Sequence, residues 1–201
     1  MLGSAISSRG GGMDSLANYE RIKLLGKGSY GSVFLMRRKQ VNARVASARG
    51  APTGALVCVK CVSVRGMNRK EREAARLEVQ ILRRLEHPNI VPFRAAFLSD
   101  GGAVLHIVLA HCDGGDLEAH LRSLRKATRG GGAAAGPSPL SEGLVLQWFS
   151  QVALGLHFLH ANRVLHRDVK SANVFITGTG RLVLGDFGIS KVLGGGKGGG
   201  G

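Results

Sequence analysis

The 201-residue chain carries 28 Lys and Arg against 13 Asp and Glu, a formal charge of +15, and 44% of its residues are hydrophobic. That apolar content suits an ordinary core and excludes disorder by composition, and the length fits one domain or a small two-lobed one. The charge points to an anionic partner (nucleotide, nucleic acid, acidic peptide or membrane surface) or to a plain solvated basic surface. No apolar run approaches the ~20 residues of a membrane span, and the opening MLGSAISSRGGG lacks a signal-peptide stretch, so a soluble, intracellular, cytoplasmic chain is expected. Cys58, Cys61 and Cys112 are too few and too odd in number for a disulfide framework, which makes a reducing compartment the default.

In chain order, the Gly- and Ser-rich start up to about residue 17 reads as flexible. YERIKLLG and SVFLMRR read as strands flanking a glycine cluster, and ALVCVKCVSV as a third strand. In that strand Cys58 and Cys61 point to opposite faces, which argues against metal or redox pairing of the C-x-x-C. NRKEREAARLEVQILRRLE follows as a helix, with Asn68 and Glu71 spaced for a capping box. PFRAAFL and AVLHIVLAH are further strands. SEGLVLQWFSQVALGLHFLH is a long helix with Ser141 as N-cap, and NVFITGTGRLVLG is a hairpin turning at TGTG. Two stretches without apolar period, RKQVNARVASARGAPTG and KATRGGGAAAGPSP, read as surface loops, and the Gly-rich end as linker-like sequence.

Gly26, Gly28 and Gly31 form G-x-G-x-x-G, but a strand rather than a helix follows, unlike a dinucleotide fingerprint. A hairpin turn whose bare backbone approaches phosphate fits, and a plain structural hairpin stays open on this motif alone. Lys60 sits within an apolar strand, an awkward place for a charge unless an anion meets it. On the next helix Glu78 falls on the inward stripe with Ala74, Ala75, Ile81, Leu82 and Leu85, which suggests a Lys60–Glu78 pair. A solvated lysine and a helix-edge glutamate are the alternative. VLHRDVKSANVF gathers His166, Arg167, Asp168, Lys170 and Asn173, and a hairpin brings Asn173 toward Asp186 in a D-F-G turn. Asn and Asp oxygens from adjacent loops are hard ligands suited to Mg²⁺.

Glycine loop, strand lysine, helix glutamate, H-R-D-x-K-x-x-N and D-F-G, in that order, resemble a eukaryotic protein kinase. EHPNIV, HCDGGDL and GDFGISKVL are most similar to the NIMA-related (NEK) serine/threonine kinases, over about Tyr19 to Leu193. The resemblance implies an α+β, two-lobed protein-kinase-like fold with a β-rich N-lobe and an incomplete, mainly helical C-lobe. It divides the chain into a flexible tail at 1–18, an N-lobe and hinge at 19–112, a partial C-lobe at 113–193 and a Gly-rich tail at 194–201. It implies ATP and Mg²⁺ as cofactors, Ser/Thr-bearing proteins as acceptors, and no nucleic acid or membrane partner. Cytoskeletal or ciliary association follows from the family alone.

Residue by residue, the resemblance lays Gly26, Lys27, Gly28, Ser29, Tyr30, Gly31 and Val33 over the ATP phosphates. It gives the α- and β-phosphates to Lys60, positioned by Glu78, the acceptor hydroxyl to Asp168, and the γ-phosphate to Lys170. Mg²⁺ falls to Asn173 and Asp186. Leu109, Ala110 and Cys112 belong to the adenine-reading hinge, Leu109 lining the back of the pocket, and Asp116 lies near the ribose. Lys170, two places after Asp168, matches the serine/threonine pattern. Ala110, His111 and Cys58 depart from the usual residues beside adenine and are expected to tune nucleotide fit.

In the family the D-F-G turn opens an activation segment that runs into A-P-E and further helices, whereas here glycines follow. The expectation is therefore that a kinase reading frame is left at this point, by truncation, splicing or gene-model error, and that the apolar helix after Ser141 lacks cover on several faces. A truncated, catalytically impaired ATP-binding fragment acting as a binding or competitor module is the alternative function. A basic nucleic-acid binder is the third, disfavoured by 5% aromatic residues and no recognisable RNA-binding or zinc-finger motif.

Overall fold

The computed structural model describes residues 14–28, 31–39, 52–130, 140–187 and 191–192. The chain divides into two compact units, one of residues 1–86 and 92–111, the other of 87–91 and 112–201.

In the first unit β1 (Tyr19–Gly28), β2 (Gly31–Arg38), β3 (Leu56–Ser63), β4 (Phe93–Ser99) and β5 (Val104–Ala110) form an antiparallel sheet in the order β1-β2-β3-β5-β4. Strand alternation sorts the side chains. Val57, Val59, Met36, Val108, Tyr19 and Phe97 pack as a buried cluster on one face, while Lys60 and its neighbours occupy the other. Gly31 opens β2 because nothing larger fits: a Cβ there would run into the Cys61 carbonyl oxygen of β3.

Helix α1 (Arg69–Arg84) starts at the expected capping box, Asn68 Oδ1 accepting from the Glu71 amide (3.0 Å) and Glu71 Oε2 from the Asn68 amide (2.8 Å). Its buried stripe is Ala75, Glu78, Val79, Ile81 and Leu82; Ala74, expected on it, is exposed. The 3.6-residue period puts Glu78 and Leu82 at the centre of that stripe and Val79 at one edge; Ala74 falls near the other edge, in the opening turns, where residues 69–74 are all exposed.

Two expectations are corrected. Residues 14–18, assigned to a flexible tail, form a turn at Leu16–Asn18, and the Asp14 carboxylate accepts from Tyr19 Oη (2.6 Å), Asn18 Nδ2 (2.8 Å) and the buried Arg38 guanidinium (3.4 Å). Composition concealed a carboxylate with a buried cation to answer. Residues 126–130, read as loop, continue α2 (Leu117–Gly130), a helix whose amphipathic start the sequence reading passed over. Residues 131–139, most of the earlier insertion and the turn residues Ser29 and Tyr30 lie outside the described residues.

The second unit contains α2, α3 (Glu142–Ala161) and short strands β6 (Val164–Leu165), β7 (Val174–Ile176), β8 (Leu182–Leu184) and β9 (Lys191–Val192), paired β6-β9 and β7-β8. Ser141 caps α3, its Oγ accepting from the Leu144 amide (3.2 Å). Gly155 and Leu159 are the residues α3 buries; a Cβ at Gly155 would meet the Asn89 carbonyl at 2.9 Å, so the glycine lets segment 87–91 lie against the helix. Val145, Leu146, Phe149 and Leu154 are exposed. Asn89, buried, donates to the Leu182 carbonyl (2.9 Å), and Gln151 Oε1 accepts from the Leu182 amide (2.8 Å), fastening α3 and segment 87–91 to β8. Among the described residues no helix is long and apolar enough to cross a membrane.

Candidate active site

In the first unit, the sheet register aligns Val33, Lys60 and Ile107 across three strands, and Leu35, Cys58 and Leu109 two places along on the same face. Lys60 Nζ meets Glu78 Oε1 at 2.7 Å; the glutamate is buried, so the pair the sequence suggested forms in partly desolvated surroundings. Burial pushes the Cys58 thiol up to about 11, leaving it an apolar neighbour of Lys60 rather than a nucleophile. At the end of β5, Ala110 spends its N–H on the Pro92 carbonyl (2.9 Å), which removes that donor from any nucleotide contact.

In the second unit the segment between β6 and β7 is laced together by two side chains. Asn173, buried, donates through Nδ2 to the Asp168 carbonyl (2.8 Å) and to Asp168 Oδ2 (2.9 Å). Lys170 Nζ donates to the same carboxylate oxygen at 2.8 Å. Hydrogen bonds from Lys170 first and Asn173 second hold the Asp168 carboxyl below the ordinary carboxylate range, and the bond to Asp168 raises Lys170 in turn.

His166 is the residue whose part the sequence reading left unassigned. Its Nδ1 accepts from the Asp168 amide (3.3 Å), so Nε2 carries the proton and donates to the Gly185 carbonyl at 2.9 Å. The Gly185 amide donates to the Asn173 carbonyl (3.0 Å), and the Phe187 ring lies 5.0 Å from the imidazole. The D-F-G turn is thus tied to the H-R-D loop on both sides of one glycine. Arg167 and Asp186 both adopt left-handed backbone, at φ 70° and 56°, an uncommon conformation that Asp tolerates better than most residues. The signal for His166 was a buried-type imidazole beside a charged run; its partner, a backbone carbonyl 19 residues on, leaves no trace in sequence.

The metal assignment has chemical support. Asn173 commits its NH₂ to Asp168, and Asp186 follows the glycine bonded to the Asn173 carbonyl. An amide and a carboxylate oxygen suit Mg²⁺, which takes its remaining ligands from phosphate and water. Asp116, expected near the ribose, caps α2 through its Oδ1, which accepts from the Ala119 amide at 2.7 Å.

Comparison with known proteins decides the family. Residues 19–198 match the protein kinase domain. The chain belongs to the protein kinase domain family. It is similar to three mouse serine/threonine-protein kinases: Nek4, 34% identical over 88% of this chain and 19% of that protein; Nek1, 33% over 89% and 13%; and Nek5, 36% over 88% and 24%. The chain therefore spans a quarter or less of the length of these relatives. For a kinase domain, the H-R-D and D-F-G segments sit in the second unit and the lysine–glutamate pair in the first.

Proposed function

We propose that this protein kinase domain transfers the γ-phosphoryl group of ATP to Ser or Thr hydroxyls of proteins. The observation that carries the reading is Asp168, an ionised carboxylate fixed by Asn173 and facing the ammonium of Lys170. In this reading the acceptor hydroxyl donates to Asp168, which orients its lone pair on the γ-phosphorus and takes the proton as the O–P bond forms. Lys170 offsets the charge on the transferring oxygens, and the β–γ bridging oxygen leaves with ADP. Lys60, oriented by Glu78, holds the α- and β-phosphates, and the backbone from Gly26 to Gly31 covers them.

Asn173 and Asp186 would hold Mg²⁺, which when bound neutralises phosphate charge. Leu109, Ala110, Cys112 and Cys58 border adenine and Asp116 serves the ribose in the same reading. An intracellular setting and an absence of nucleic-acid partners belong to it as well. The test is incubation with γ-³²P-ATP, Mg²⁺ and a Ser/Thr peptide library, followed by phosphoamino-acid analysis. Label in phosphoserine or phosphothreonine is expected; label only in phosphotyrosine, or none in a folded, ATP-saturated sample, contradicts the reading.

A further inference from the structure

On the sheet face away from Lys60, three strands bring together a thiol, an imidazole and a hydroxyl. Cys61 of β3 and His106 of β5 are direct cross-strand partners, and Ser99 ends β4 two residues beyond Phe97, the partner of His106. Cys61 Sγ lies 3.3 Å from His106 Nδ1, and His106 Nε2 lies 2.8 Å from Ser99 Oγ. Phe97 stacks on the imidazole at 5.0 Å and fixes its plane. His106 is 3% exposed, whereas Cys61 is only partly buried, at the margin of the buried cluster on that face. A nucleophile within reach of a base, with the base oriented by a third group, is the arrangement that activates cysteine.

We propose that Cys61 is a covalent modification site, activated by His106 and taking small disulfides and comparable soft electrophiles. Burial holds the imidazole below its ordinary value, opposed by Asp100, so it is a neutral base at pH 7. Burial also raises the Cys61 thiol, opposed by Arg21 of β1, so the proton must be removed during attack. Sγ–H passes its proton to Nδ1 while Nε2–H donates to Ser99. The sulfur attacks a disulfide R–S–S–R, a Cys61–S–S–R bond forms, the R–S–S–R bond breaks, and the departing thiolate takes the proton from the imidazolium. Cys61 is oxidised and half of the reagent is reduced to RSH.

Cys58, on the opposite face with its thiol pushed up to about 11, and Cys112, 8% exposed, are internal controls. The folded protein is treated at pH 7 with bis(2-hydroxyethyl) disulfide, and separately with iodoacetamide, and each cysteine is followed by peptide mass spectrometry. Cys61 is expected to react at least about tenfold faster than Cys58 or Cys112. Its rate stays flat from about pH 7 to 8, while that of Cys58 climbs about tenfold per pH unit with its thiolate fraction. His106→Asn is expected to bring Cys61 down to the Cys58 rate with Cys58 unchanged, the fold being checked by circular dichroism. Cys61 reacting no faster than Cys58 in the unsubstituted protein, or a folded His106→Asn variant at full rate, overturns the proposal. If that variant does not fold, the comparison within the unsubstituted protein decides.

Discussion

Asn173 Nδ2 bonds both the backbone carbonyl and the carboxylate of Asp168, five residues upstream, at 2.8 and 2.9 Å. One amide therefore sets the course of the loop and the direction of its carboxylate. Asn173→Ala removes both bonds and a proposed metal oxygen. It is expected to lower kcat by about 10²-fold or more, on the scale of losing one positioned transition-state group, and to raise the Mg²⁺ needed for half-maximal rate. Steady-state kinetics across a Mg²⁺ series checks both, and an unchanged Mg²⁺ requirement would remove Asn173 from the metal site.

Lys170 and Asn173 hold the Asp168 carboxyl below its ordinary value of 3.8. A carboxyl depressed on folding contributes stability that is complete above its ordinary value and is lost as pH falls through the lowered one. Lys170, raised above 10.5 by the same contact, contributes below that value and loses its share as pH rises through the raised one. Between these limits the pair is constant. Carbon-13 NMR should find Asp168 titrating below the ordinary carboxylate range and moving upward in Lys170→Met. Titration at or above the ordinary value in the unsubstituted protein would contradict the assigned contacts.

The Lys60–Glu78 pair at 2.7 Å joins β3 to α1. Glu78→Gln keeps the shape and removes the charge that orients Lys60. It should cut kcat/KM for ATP by on the order of 10²-fold and, by leaving the partly buried Lys60 charge without the Glu78 carboxylate, should also lower stability, so the kinetics are read on samples that circular dichroism shows to be folded. Lys60→Met should also diminish the thermal shift produced by Mg-ATP. Wild-type kinetics in Glu78→Gln would make the pair merely structural.

Gly31 faces a backbone carbonyl that cannot move aside as a side chain could. Gly31→Ala should destabilise the protein by about 1–3 kcal/mol, the usual cost of overpacking. Gly26→Ala, whose Cβ would meet nothing within 4 Å, should cost much less. Urea midpoints of the two variants test the contrast, and equal midpoints would contradict it.

Sequence carried the local rules well. The capping box at Asn68 and Glu71, the cap at Ser141, the strand alternation separating Cys58 from Cys61 and the inward Glu78 each depend on neighbours a few residues apart. What it hid depends on distant partners. Asp14 is anchored by Arg38, 24 positions away, Asn89 by Leu182, 93 away, and His166 by the Gly185 carbonyl. Helix α2 was missed because its start lies in a Gly-Gly-Asp turn and its end runs into glycine, so punctuation outweighed a modest apolar period. In the site, Asp168, Lys170 and Asn173 were legible because they share one loop; the cross-strand Cys61–His106 contact was not, because it takes the register of two strands to see it.

The most direct test of the central claim compares the unsubstituted protein with Asp168→Asn in two measurements on the same folded samples, Mg-ATP affinity and ³²P transfer to a Ser/Thr substrate. Asp168 acts on the acceptor hydroxyl in this account, so the variant should bind Mg-ATP nearly as well as the unsubstituted protein and lose transfer by about 10²- to 10⁴-fold, the usual contribution of a general base. Transfer by Asp168→Asn within a few-fold of the unsubstituted protein would contradict it.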